Sequence, residues 1–179
     1  MTLFRNLPAR LVSLMALGCA GAAMAASEPV VPLATTTLVH ADGTPAGMAR
    51  IVASGGHAMI AIELTGIPAG EHGLHLHTTG KCEGPAFASA GGHLNPAAKA
   101  HGMDNPAGSH LGDLPNVTAD AQGKVSTVIH YGGDPQALAT ALFDADGAAL
   151  VLHAAADDYK TDPSGNSGAR IACGVLAKG

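Results

Sequence analysis

Tryptophan is absent from the 179 residues, and aromatic side chains make up 3 % of the chain. Any core must therefore be built from Val, Ile, Leu, Met and Ala. Charge is also scarce at 13 %, with nine Lys and Arg against fourteen Asp and Glu. Without a basic stripe or stacking aromatics, a nucleic-acid partner is excluded. The longest apolar run, Leu11 to Ala25, spans 15 residues. A membrane-crossing helix needs about 20, so no integral span is expected. No extended 3.6-residue periodicity is present, which argues against a helical fold.

What the N-terminus does hold is Arg5 and Arg10, the apolar run, and Ala23-Met24-Ala25, a small-x-small cleavage pattern. Residues 1–25 read as a signal peptide and 26–179 as a single exported domain. The rival reading attaches lipid at Cys19 in Ala16-Leu17-Gly18-Cys19, but Ala16 stands where such a site usually has Leu. Loss of Arg5 and Arg10 leaves seven basic and fourteen acidic side chains, a formal charge of −7, which bears on solubility. Of the three cysteines only Cys82 and Cys173 would remain. In an oxidising compartment they are candidates for a disulfide, the alternative being two buried thiols.

Short β-branched or apolar runs appear at 35–39, 48–52, 58–64, 74–77, 117–119, 125–130, 149–153 and 171–176, with turn signals such as Asp42-Gly43, Gly55-Gly56, Gln122-Gly123 and Asp146-Gly147 between them. The pattern predicts an all-β fold, an eight-stranded antiparallel barrel or sandwich. Two stretches, 78–114 and 154–169, carry no convincing strand or helix. A loop of this length is unusual in a compact domain unless function ties it down.

The ties are at hand. His75, His77, His93, His101, His110 and Asp113 fall within 39 residues, and His153 follows. On a strand, His75 and His77 point to one face. Six or seven donors exceed one tetrahedral ion and suit two. Imidazole suits zinc and copper, and no thiolate or thioether stands in the cluster to favour copper(I) storage.

Gly73-Leu74-His75-Leu76-His77, Ser89 through Pro96 (SAGGHLNP), His101-Gly102, His110 through Asn116 (HLGDLPN) and Gly165 through Val175 (GNSGARIACGV) together resemble the copper/zinc superoxide dismutases, most closely their bacterial periplasmic branch. The resemblance spans nearly all of 26–179 and implies a Greek-key barrel with two long functional loops. It implies copper on His75, His77, His93 and His153, and zinc on His93, His101, His110 and Asp113, with His93 bridging the two. It further implies that Asp157 links a copper histidine to a zinc histidine, that Arg170 attracts the superoxide anion, and that Cys82 and Cys173 form a disulfide. The activity implied is an antioxidant one, dismutation of superoxide to dioxygen and hydrogen peroxide, with His93 and Arg170 as catalytic residues. A homodimer is the assembly to test for. Departures from the family pattern are Leu74 for the usual Phe, Thr78-Thr79 after the second histidine, and a short 154–169 connection whose sole basic residue is Lys160.

Two rival readings share the same residues. One is a non-enzymatic periplasmic metal-binding or metal-delivery protein, which should lack a copper ligand or the arginine. The other is a zinc hydrolase, which needs an open zinc position that His93, His101, His110 and Asp113 leave none of. Among the remaining histidines, His72 reads as structural and His40, His57 and His130 as surface residues. Met48, Met59 and Met103 read as packing residues.

Overall fold

The computed structural model describes residues 28–179. The expected signal peptide and Cys19 lie outside the described residues. Ten strands follow in chain order: β1 Val31–His40, β2 Pro45–Ser54, β3 His57–Leu64, β4 Gly70–His72, β5 Leu74–His77, β6 Val117–Ala119, β7 Val125–Tyr131, β8 Ala149–His153, β9 Arg170–Val175 and β10 Ala177–Lys178. A helix, α1 Pro135–Leu142, lies between β7 and β8. Every pairing is antiparallel, in the order β5-β8-β9-β1-β2-β3-β7, with β10 on β1 and β4 on β6. The chain leaves β3, crosses to lay β5 beside β8, and returns through β6 and β7 to the free edge of β3. This is the Greek-key crossing of an antiparallel barrel or sandwich.

Sequence alternation decides which face is buried. In β3, Ala58, Ile60, Ile62 and Leu64 point inward while Ala61 and Glu63 face water. Gly55 and Gly56 both take positive φ (57° and 78°) and close the β2–β3 hairpin, where Ser54 pairs with His57. Two consecutive left-handed residues are what a two-residue hairpin turn requires.

Strands β5 and β8 depart from alternation, for every residue in them is buried. One face sends Leu74, Leu76, Leu150 and Leu152 into the main core. The opposite face, with His75, His77, Val151 and His153, lies beneath the long loops. The 78–114 segment contains only a 3₁₀ turn at Ala88–Ala90. It is held by a second apolar cluster of Phe87, Ala90, Ala149, Val151 and Cys173. The Cys82–Cys173 disulfide joins this loop to β9.

To the expected all-β fold the structure adds one short helix, α1. Two turns offer too few repeats for periodicity to register, yet the start signal was present. Asp134 Oδ1 accepts from the Gln136 N–H at 3.0 Å, Pro135 opens the helix, and Leu138 and Leu142 are buried one turn apart. Met48 and Met103 also differ from expectation, being 42 % and 44 % exposed.

Candidate metal centre

The site is assembled on β5. Its register with β8 sets His75 opposite Val151 and His77 opposite Ala149, and His153 ends β8 opposite Arg170 of β9. The other edge of β5 is covered by the loop. Leu94 N donates to Leu76 O (2.8 Å), Leu76 N to Gly112 O (2.9 Å) and Gly112 N to Leu94 O (2.9 Å). These bonds place His93 beside His77 and Asp113 beside His75. Backbone pairing at an otherwise open edge thus delivers the loop's ligands to the strand's ligands.

The ring nitrogens divide by role. His75 Nε2 donates to Asp157 Oδ2 (2.7 Å), His77 Nδ1 to the Gly91 carbonyl (2.9 Å), His153 Nδ1 to the Gly168 carbonyl (3.2 Å) and His101 Nε2 to Asp157 Oδ1 (3.0 Å). An acceptor on one nitrogen places the proton there and leaves the lone pair on the other. Those other nitrogens, His75 Nδ1, His77 Nε2, His101 Nδ1 and His153 Nε2, are buried without a hydrogen-bond partner, as is His93 Nε2. Buried polar atoms are normally paired. Five orphaned lone pairs aimed at two small volumes fit metal coordination.

Each volume has its own set. His75, His77, His93 and His153 offer donor atoms all within 4.8 Å of one another, and so do His93, His101, His110 and Asp113. In the second set Asp113 Oδ1 lies 2.9, 3.1 and 3.0 Å from Nδ1 of His93, His101 and His110. The His93 and His110 Nδ1 atoms are 3.3 Å apart. A tetrahedral zinc with ligands at about 2.0 Å has edges of about 3.3 Å. The His101–Asp113 approach is close, yet it lacks hydrogen-bond geometry and leaves His101 Nδ1 without a partner. That is the behaviour of two ligands sharing an ion. The nitrogen-rich first set suits copper, and His93 presents Nε2 to one set and Nδ1 to the other.

Burial tunes these groups toward ligation. Desolvation pushes His77 down to about 2, His153 to about 3 and His93 to about 4, with neighbouring imidazoles adding to the effect. The rings are therefore neutral near pH 7; His77 and His153 need lose no proton to bind one metal, whereas His93, offered to both sets, gives up its remaining N–H proton on bridging them. Burial opposes ionisation of Asp113, but the His93 contact, the Gly102 N–H (2.9 Å) and nearby imidazoles hold it well below the usual carboxylate range. Asp157 is likewise lowered against its own desolvation by the His75 and His101 hydrogen bonds.

Arg170 stands over a cleft of about 400 Å³ whose lining also includes His77, His93 and His153. Its guanidinium donates to the carbonyls of Phe87 and Gly91, both at 2.6 Å. Among the described residues it is the only Lys or Arg lining that cleft. A wider depression of about 670 Å³ adjoins it along Gly92 and Gly168 and opens on the same arginine.

Other residues fall as follows. His72 is buried, its ring nitrogens 2.8 Å from the His153 carbonyl and 2.7 Å from the Pro68 carbonyl. It therefore braces the end of β8, a structural role. His57 and His130 are exposed, and His40 is half-buried with Nε2 3.1 Å from the Thr65 carbonyl. Lys160 belongs to the joint between the two loops, its carbonyl accepting from Asn105 Nδ2 (3.3 Å). Sequence reasoning missed Asn116, Tyr159 and Asp162. Asp162 Oδ1 accepts from the His101 N–H at 2.6 Å. The available signal was position: Asn116 ends the HLGDLPN motif, and Tyr159 lies two residues after Asp157.

A family-level comparison matches residues 46–176 to copper/zinc superoxide dismutase (SODC). A Cu-Zn superoxide dismutase of Caulobacter vibrioides is 41 % identical over 176 residues, covering 93 % of this chain and 98 % of that protein. A superoxide dismutase-like protein of Bacillus subtilis is 42 % identical over 143 residues, covering 78 % of this chain and 73 % of its own. The crystal structure of a SOD-like protein from the same bacterium superposes with a TM-score of 0.74 at 39 % identity, covering 80 % and 97 % of the two chains. Enzymes and an enzyme-like protein are thus similarly close, and the ligand set has to distinguish them. The chain belongs to the copper/zinc superoxide dismutase family.

Proposed function

We propose that the protein dismutates superoxide, converting two superoxide anions and two protons to dioxygen and hydrogen peroxide. Copper is assigned to His75, His77, His93 and His153, and zinc to His93, His101, His110 and Asp113. The observation that carries the reading is the set of five partnerless, inward-facing imidazole nitrogens: those of His75, His77, His93 and His153 converge in the copper set, and that of His101 faces the zinc set, which His93 joins through its other nitrogen. When bound, copper supplies the one-electron redox chemistry and zinc a fixed charge that polarises the shared ring.

The chain's own residues do the rest. Arg170, fixed by two carbonyls at the mouth of the cleft, attracts and orients a small anion where overall charge would repel it. Burial of His75 and His77 excludes water from the inner wall. His93 Nε2 is the atom at which the chain can hold and release a proton, because Nδ1 is engaged by Asp113 and faces His110. Asp157 holds His75 and His101 at fixed tilt through its two oxygens.

Against a metal-delivery protein stands Arg170, since delivery needs no anion guide, and all four nitrogens of the copper set are present. Against a zinc hydrolase stands the closed zinc set. The test is metal analysis and a dismutation assay on one purified sample. One copper and one zinc per chain with turnover above a free-copper control is expected; absence of turnover in the fully loaded protein rejects the enzyme.

The reading includes export of residues 26–179 as one domain after removal of 1–25, into the periplasm. What supports it is the N-terminal apolar run together with the Cys82–Cys173 bridge, which persists in an oxidising compartment. Among the described residues no helix is long and apolar enough to cross a membrane. N-terminal sequencing of the exported protein distinguishes cleavage before Ala26 from retention of a lipidated Cys19.

A further inference from the structure

Asp157 touches both metal sets, yet it lies in the 154–169 connection, which has no secondary structure to hold it. Its backbone is gripped from outside. Asp157 N donates to Asn116 Oδ1 (2.8 Å), and Asn116 Nδ2 donates to Asp157 O (3.0 Å). One carboxamide thus clamps both main-chain groups of one residue. Asn116 is fixed in turn, since its N–H donates to the Tyr159 hydroxyl at 2.7 Å. Tyr159 closes the circuit, for its own N–H donates to Asp157 Oδ1 at 2.7 Å.

The same tyrosine reaches the zinc loop. Its carbonyl accepts from the Asp104 N–H (3.1 Å), and a Cβ at Gly102 would run into it, so only glycine lets the two loops meet there. The Gly102 N–H is in turn spent on Asp113 Oδ2. Tyr159 holds a left-handed backbone (φ 61°), which a non-glycine residue seldom adopts without being held there. Three contacts over-determine it: the phenol on Asn116, the amide on Asp157 and the carbonyl on Asp104.

We propose that Tyr159 and Asn116 are positioning residues that act through Asp157, setting the carboxylate that couples the copper ligand His75 to the zinc ligand His101. The inference rests on the two ligand sets assigned above. Neither residue touches a metal-facing nitrogen, so their effect passes through the tilt of His75 and His101. Partners of this kind alter metal affinity about 10–100-fold when removed, and an indirect partner belongs at the lower end.

The readout is the rate at which the copper- and zinc-loaded protein gives up zinc to excess EDTA, for the full mature chain. Tyr159→Phe keeps the ring and removes only the acceptor for the Asn116 N–H; it should release zinc about tenfold faster. Asn116→Ser keeps that N–H but removes the clamp, and should behave alike. Asp157→Asn should release zinc faster than either. Adding Tyr159→Phe to Asp157→Asn should change the rate little further, because the tyrosine acts through the carboxylate. Full additivity in the double variant would make Tyr159 a general loop tie and overturn the proposal. So would wild-type release from Tyr159→Phe and Asn116→Ser while Asp157→Asn is fast. If Asp157→Asn itself releases zinc at the wild-type rate, the coupling of the two ligand sets is wrong and the inference falls with it.

Discussion

At the scale of single residues the two metal sets differ in what they share. His153 belongs to the copper set alone, its Nδ1 tied to Gly168 and its Nε2 turned inward. His153→Ala is therefore expected to abolish dismutation while about one zinc per chain stays bound, which metal analysis of the purified variant would report. Loss of both metals would mean that the partition of ligands is wrong. His93 is the shared residue, and its loss should weaken both sites. Arg170 works on the substrate. Because it is the one fixed cation lining the cleft among the described residues, Arg170→Ala should lower kcat/KM on the order of tenfold or more and flatten its dependence on ionic strength, with copper retained. Arg170→Lys should recover only part of the loss, since one ammonium cannot engage both the Phe87 and Gly91 carbonyls as the guanidinium fork does. An unchanged salt dependence in the alanine variant would remove Arg170 from steering.

At the scale of elements, the decisive arrangement is a long loop laid over two fully buried strands. The anchor carbonyls for Arg170, at Phe87 and Gly91, lie in the stretch that begins at Cys82, and the disulfide ties that stretch to β9, where Arg170 itself stands. The Cys82→Ser, Cys173→Ser double variant should thus lose stability by up to about 4–5 kcal/mol by loop entropy. It should also lose activity through a misplaced Arg170, and keep zinc, whose ligands lie beyond the tied stretch. Denaturant midpoints and zinc content together check this; wild-type activity in the unbridged protein would separate the disulfide from the arginine. Strand cores such as Leu74–His77 and Ala149–His153 were legible in the sequence, because short apolar runs between glycine turns have few other readings. Strand ends were not: β1 begins at Val31 and β2 at Pro45, where pairing with neighbours extends strands past their apolar centres. The helix was missed because two buried leucines do not make a period. The ligands were legible through dense motifs, whereas the Asn116–Tyr159 bond joins residues 43 apart in a stretch with no pattern of its own.

At the scale of the whole molecule, eight of the buried polar side chains among the described residues belong to one centre: His75, His77, His93, His101, His110, Asp113, His153 and Asp157. Without metals that centre is a cost, because orphaned nitrogens and desolvated rings are kept from water with nothing in return. The pH dependence of the metal-free protein should expose it. His77, His93 and His153 have folded-state values depressed from 6.5 to about 2, 4 and 3, chiefly by burial. Between 6.5 and about 4 the unfolded chain takes up protons on these rings while the folded chain does not. The unfolded state then binds more protons, so stability falls as pH falls, by at most about 1.4 kcal/mol per unit for each ring. Asp113 and Asp157 do not oppose this, since their lowered values keep them ionised in the folded state and their contribution is lost only as pH drops through the carboxylate range. The metal-free protein should therefore melt at steadily lower temperature as pH is lowered from 6.5 toward 4. The copper- and zinc-loaded protein should hold its melting temperature until acid displaces the ions, because metal occupies the lone pairs that protons would take. Thermal melts of both forms across that interval provide the check. A metal-free melting curve that stays level over it would mean that the rings are more hydrated than their burial implies, and that the centre is opened rather than preformed in the absence of its ions.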